Sequence, residues 1–118
     1  MKGVLVIAHG SRAKETERVL EAVLTMAKAK LPETVIEFAF IEFSERTVEK
    51  GITALVAMGI TEIKIVPYFL FMGIHIKEDI PQMAAQCAAN FPGVKITFGK
   101  PLGADTRLAD ILADRIQD

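Results

Sequence analysis

Cysteine occurs once in these 118 residues, at Cys87, and histidine only twice, at His9 and His75. A single thiol excludes an internal disulfide and any cysteine-built zinc or iron–sulfur site, so Cys87 reads as a small buried hydrophobe. Charge of one sign is also missing: 14 basic side chains against 15 acidic ones leave a formal net charge of -1. No global field then draws the chain to nucleic acid or to an anionic membrane surface, and an anionic ligand has to be held by local positive charge. No apolar run approaches the ~20 residues of a bilayer span, and the opening MKGVLVIAHG carries no signal-peptide pattern. The expected location is the cytoplasm. The phosphate-binding patterns GxxxxGKS/T and GxGxxG are absent too, so nothing in the chain asks for a nucleotide.

What is present is apolar and periodic. Half the residues are hydrophobic (51%) and a quarter charged (25%), which fits one globular domain over 1–118 with enough surplus apolar surface to favour a homodimer. Short β-branched or aromatic runs at 3–8, 35–41, 62–68 and 94–98 alternate with segments whose apolar residues recur at helical spacing. Leu20, Leu24, Ala27 and Leu31 stripe the first helix, and Val48, Ile52, Leu55 and Val56 the second, with Ser44 as its expected N-cap. Ile80, Met83, Ala84, Cys87 and Phe91 stripe the third, with Asp79 as expected N-cap and Pro81 in the first turn. Leu108, Ile111 and Leu112 stripe the last, capped by Asp105 or Thr106. Four strand–helix units predict an α/β fold: a flavodoxin-like, four-stranded parallel sheet in the order 2-1-3-4 with helices on both faces.

That strand order locates the chemistry, because ligands of open α/β sheets bind outside the carboxyl ends of the strands, where neighbouring connections diverge. His9 follows the first strand in VIAHGSR, and His75 follows the third in PYFLFMGIHIKEDIP. The two histidines are therefore expected on opposite lips of one crevice, with Glu42 and Glu45 after the second strand at the same rim. Imidazole is a ligand for Co, Ni, Fe and Zn divalent ions, and imidazole or carboxylate accepts protons near neutral pH. Two histidines and a glutamate leave coordination positions open, unlike a structural zinc site with four protein ligands. Beyond the third strand, Phe69, Leu70, Phe71, Met72 and Ile74 offer a seat for something flat and apolar. Gly73 is expected to allow a backbone turn that aims amide groups at a ligand. Arg12, Lys14, Arg46 and Lys77 stand around the rim, and the forked guanidinium of Arg12 suits a carboxylate best.

With these residues in view, the chain resembles the short form of the class II tetrapyrrole chelatases, the sirohydrochlorin chelatases that insert cobalt, nickel or iron. The resemblance runs the whole length and is carried by HGSR at 9–12, AFIEFSE at 39–45, VPYFLFMGIHIKEDIP at 66–81 and GKPLGADTRL at 99–108. It implies that His9 is metal ligand and proton acceptor, that His75 is the second ligand, and that the loop from Leu70 through Phe71, Met72 and Gly73 to Ile74 contacts the macrocycle. It also implies a functional glutamate after the second strand, a role open to Glu42 and to Glu45. The metal is implied as substrate, with no permanently bound cofactor and sirohydrochlorin as the organic partner. The chain departs from archaeal nickel-inserting relatives in lacking a histidine-rich segment, which favours cobalt or iron; Co2+ is the expected metal, with Fe2+ or Ni2+ as alternatives. Long-form relatives contain two such domains, and a homodimer would supply the second lobe here.

Two rivals use the same histidines. A metal carrier predicts tight metal binding and indifference to tetrapyrroles. A histidine phosphatase places arginine immediately before the histidine that follows the first strand, and here Ala8 stands there.

Overall fold

The run KGVLVIA is apolar on both faces and becomes the inner strand β1 (Lys2–Ala8) of the computed structural model, which describes residues 1–118. On one side β1 pairs in parallel with β2 (Val35–Phe40), on the other with β3 (Glu62–Pro67), and β4 (Lys95–Phe98) pairs with β3, giving the order β2-β1-β3-β4. Helices α1 (Glu15–Lys30), α2 (Val48–Ala57), α3 (Ile74–Ala88) and α4 (Thr106–Gln117) follow the strands in turn. The expected order and parallel pairing are thus the observed ones.

Alternation along β1 splits the core in two. Leu5 and Ile7 point into the larger cluster, with Val48, Ile52 and Leu55 of α2, Ile63 and Ile65 of β3, and Ile80 and Ala84 of α3. Val6 and Ala8 point to the opposite face, where Leu20 and Leu24 of α1 cover Ile36, Phe38 and Phe40 of β2. All buried side chains of any size are apolar and no polar side chain is buried, so the sheet is held by apolar burial at roughly 25 cal/mol per Å2. Gly51 brings α2 close to β1: a Cβ there would lie 2.6 Å from a methyl of Leu5.

Several helix starts differ from the expected ones. Thr47, not Ser44, caps α2, its side chain accepting the Lys50 amide; Ser44 instead accepts the Arg46 amide and donates to a Glu17 carboxylate oxygen. Helix α3 begins at Ile74 with Gly73 as N-cap, so Asp79 caps nothing and Pro81 lies inside the helix. The apolar stripe explains this, because Ile76 packs on the same core as Ile80, Met83 and Cys87 and extends their helical spacing back by one turn. Pro81 then forfeits the bond its missing N–H would donate to the Lys77 carbonyl, on a face exposed to water. Of the two candidates for α4, Asp105 is the cap, accepting the Arg107 amide at 2.9 Å.

The expected burial of the α4 stripe is corrected. Helix α4 has no buried residue; Ile111, Leu112 and Ile116 are 50%, 61% and 74% exposed, and Leu108 is half-buried. Periodicity reports that a helix has an apolar face, not what covers it.

Candidate functional site

The site is built where β1 and β2 run out. Past Phe40 the parallel ladder continues, Ile41 N–H donating to the Ala8 carbonyl at 3.0 Å and Glu42 N–H to the His9 carbonyl at 3.1 Å. This register brings the Glu42 carboxylate to the His9 ring, Oε1 lying 3.3 Å from Nε2, with both side chains about half exposed. The other ring nitrogen, Nδ1, is 3.1 Å from the Gly10 carbonyl oxygen. A carbonyl oxygen can only accept, so Nδ1–H donates to it, and Nε2 is the ring nitrogen that faces Glu42 and solvent.

Gly10 makes this approach possible. Its φ is 96°, and a Cβ at this position would lie 2.0 Å from the Glu42 carbonyl oxygen. Directly after Glu42, Phe43 adopts φ 59°, the one non-glycine residue in the left-handed region. The chain then returns through Ser44, and Phe40 N–H donates to the Arg46 carbonyl at 2.8 Å. Two arginines lie over aromatic rings of this corner: Arg12 at 4.9 Å from the centroid of Phe43 and Arg46 at 4.1 Å from that of Phe38.

The two candidate glutamates are placed apart. Glu42 meets His9, whereas Glu45 lines a polar cavity of about 680 Å3 with Arg12, Lys14 and Arg46. His9 itself borders a different, mostly apolar cavity of about 480 Å3 with Thr16, Phe40 and Tyr68. His75 stands exposed in the first turn of α3 and lines neither of these cavities, and Lys77 is exposed two residues further on. No three His, Cys, Asp or Glu side chains converge closely enough to hold a metal ion. The geometry therefore pairs His9 with Glu42 and does not bring His75 to that pair; the expected single crevice with a histidine on each lip is not formed by these two cavities. An imidazole and a carboxylate in this arrangement can accept protons and bind a divalent cation while leaving most of its coordination sphere free.

The segment between β3 and α3 divides by burial. Phe69 and Met72 pack on the larger core, while Leu70, Phe71 and Ile74 are 53%, 83% and 76% exposed. Leu70 and Phe71 also border an apolar cavity of about 720 Å3 whose far wall is α4, through Leu108, Ile111 and Leu112. The expectation for Gly73 is corrected: its φ of -68° is open to any residue and a Cβ would meet nothing within 4 Å.

Gly10, Phe43 and Tyr68 are site residues that sequence reasoning passed over. Gly10 was visible as a glycine beside a strand-end histidine, and Tyr68 as part of the aromatic run; a left-handed phenylalanine has no signature in sequence.

A model of the family described as CbiX matches residues 3–118. The chain is 36% identical over 117 residues to a sirohydrochlorin ferrochelatase of Bacillus subtilis, covering 99% of this chain and 45% of that protein. It is 35% identical over 123 residues to a sirohydrochlorin cobaltochelatase of Methanosarcina acetivorans, covering 98% of this chain and 95% of that one. Among solved structures, the sirohydrochlorin chelatase SirB of Bacillus subtilis subspecies spizizenii in complex with cobalt superposes with a TM-score of 0.90 at 36% identity, over 99% of this chain and 50% of that chain. The chain thus spans about half the length of some relatives and nearly all of others.

Proposed function

The chain belongs to the CbiX family, the class II tetrapyrrole chelatases, and on that premise we propose that it inserts a divalent metal, cobalt foremost, into sirohydrochlorin. The observation that carries the proposal is the half-exposed His9–Glu42 pair, 3.3 Å apart, at the carboxyl ends of β1 and β2; the exposed apolar residues Leu70, Phe71 and Ile74 follow β3, the strand next to β1. Insertion exchanges one M2+ for two pyrrole N–H protons, so a chelatase needs a group that presents the ion and groups that accept protons. His9 would present the ion through Nε2 and, once the ion has passed to the ring nitrogens, that freed lone pair would accept one pyrrole proton; Glu42 balances the cation's charge and takes or relays the other. His75 is the second ligand, meeting the ion from the α3 side. The macrocycle lies on Leu70 to Ile74, and its peripheral carboxylates meet Arg12.

The metal is a substrate on this proposal, and two protein ligands on a rim suit delivery better than retention. That disfavours a carrier, which needs a closed ligand set. Cobalt is favoured over iron because the relative whose length this chain nearly matches is named a cobaltochelatase. The long relatives and the uncovered face of α4 support a homodimer, and a lone cysteine suits the reducing cytoplasm.

The test is anaerobic absorbance spectroscopy of sirohydrochlorin with Co2+, Fe2+ and Ni2+ in turn. The wild-type chain should accelerate metallation, and the double variant His9→Ala, His75→Ala should lose on the order of 100-fold or more of the rate. Equal rates for wild type and double variant, both above the spontaneous background, would remove the histidines from the mechanism.

A further inference from the structure

We propose that Phe43 and Gly10 are positioning residues that hold the Glu42 carboxylate against His9, through a left-handed turn that shapes the loop rather than through contact with the substrate. The inference rests on the functional proposal only for what Glu42 does, not for how it is held.

Glu42 and His9 cannot hold each other in place. An exposed ion pair contributes at most about 1 kcal/mol, and ordering a glutamate side chain costs about as much or more. Side chains this exposed stay together only if the backbone beneath them is fixed, and three features fix it. The Glu42 amide donates to the His9 carbonyl at 3.1 Å, which sets the register. The Glu42 carbonyl then passes so close to Gly10 that a Cβ there would lie 2.0 Å from the oxygen. Any side chain at position 10 would drive the Glu42 backbone away from His9. Immediately afterwards the chain must turn sharply, because Arg46 returns to bond Phe40 at 2.8 Å.

Phe43 makes that turn at φ 59°. Bulky side chains are strained in this region, and such strain persists only where the surroundings over-determine it. Here they do: the ladder holds residue 42, the Arg46–Phe40 bond holds the return, and the Arg12 guanidinium lies 4.9 Å over the Phe43 ring. An extended residue at 43 would point Ser44 away from Glu17, with which it is hydrogen-bonded, and would open the loop. Glu42 would then leave the imidazole.

Two substitutions separate turn from ring. Phe43→Asn removes the ring but enters the left-handed region readily, whereas Phe43→Val removes the ring and, being β-branched, resists it. The experiment measures sirohydrochlorin and Co2+ turnover for both variants, for Glu42→Gln, and for the Glu42→Gln, Phe43→Val double variant. It is joined by NMR cross-relaxation between the His9 ring and the Glu42 side-chain protons. The expected result is a kcat about tenfold lower for Phe43→Val and near-normal for Phe43→Asn, with any change in KM the same in both, since both remove the ring beneath Arg12. The double variant should fall no lower than Glu42→Gln alone, since both changes remove one contribution.

Equal losses in the Asn and Val variants, or a double variant that falls multiplicatively, would overturn the inference, because either makes the ring or general stability the cause. Should Glu42→Gln turn over normally, the role of Glu42 in the functional proposal fails, but the positioning inference is still decided. The His9–Glu42 cross-relaxation must survive in Phe43→Asn and vanish in Phe43→Val; its survival in both overturns the inference by itself.

Discussion

Gly10 and Gly59 share a left-handed backbone, with φ 96° and 88°, yet an added methyl group would meet different surroundings. At Gly59 nothing lies within 4 Å, so Gly59→Ala carries only the dihedral cost, about 1 kcal/mol. At Gly10 the same methyl would sit 2.0 Å from the Glu42 carbonyl oxygen. A backbone atom cannot step aside as a flexible side chain does, and Gly10→Ala should cost about 3 kcal/mol or more. Urea denaturation of the two variants measures the difference, and equal losses would show that the loop after β2 yields freely to position 10. Residues of this kind mark where sequence is hardest to read. The meeting of His9 with a glutamate was legible from the strand order, though which of Glu42 and Glu45 it would be was not. Cys87 was legible in part: it packs on the larger core but is half-buried rather than buried, and burial first, the Glu49 charge second, push its thiol pKa up. Phe43 was not legible, because its conformation is imposed by its neighbours and contradicts its own preference.

At the scale of elements, the four strands were readable almost to the residue, since apolar runs covered on both faces have few other fates. Helix starts were less readable. A cap competes among nearby Ser, Thr and Asp side chains, and whether Ser44 or Thr47 caps α2 depends on the Phe40–Arg46 bond, which no local pattern records. The cap of α4 has a pH signature. The side chain of Arg107 foremost, and its backbone amide second, hold the Asp105 carboxyl well below the usual carboxylate range. A depressed carboxyl contributes stability above its ordinary pKa of about 4 and loses it as pH falls further toward the folded value. Helix α4 should therefore fray on acidification, visible in far-UV circular dichroism below about pH 4. Asp105→Asn keeps a capping oxygen without the charge, so the variant should lack that acid-dependent component. An identical acid loss in the variant would assign the effect to other carboxylates.

For the whole molecule, the apolar face of α4 is the part that the sheet does not cover. Burial on the sheet accounts for α1, α2 and α3, while Ile111, Leu112 and Ile116 remain half exposed or more, the first two sharing a cavity with Leu70 and Phe71. Apolar surface this continuous marks an interface more often than open solvent. Relatives of about twice the length carry additional chain of roughly the size a second copy would supply. A self-complementary contact through α4 would need about 800 Å2 from each partner, and Leu70 and Phe71 would then stand at the interface as well as under the macrocycle. Two consequences are linked. Wild type should sediment as a dimer at micromolar concentration, and the Ile111→Glu, Leu112→Glu double variant as a monomer that still folds, because neither side chain enters the core, but melts lower for want of its partner. The monomer should also bind sirohydrochlorin less tightly, with KM raised several-fold and kcat lowered less, since the ring loses one wall of its seat while His9 and Glu42 remain paired. A monomeric wild type would remove the dimer altogether, and a dissociated variant with normal KM would place the whole macrocycle site within one chain.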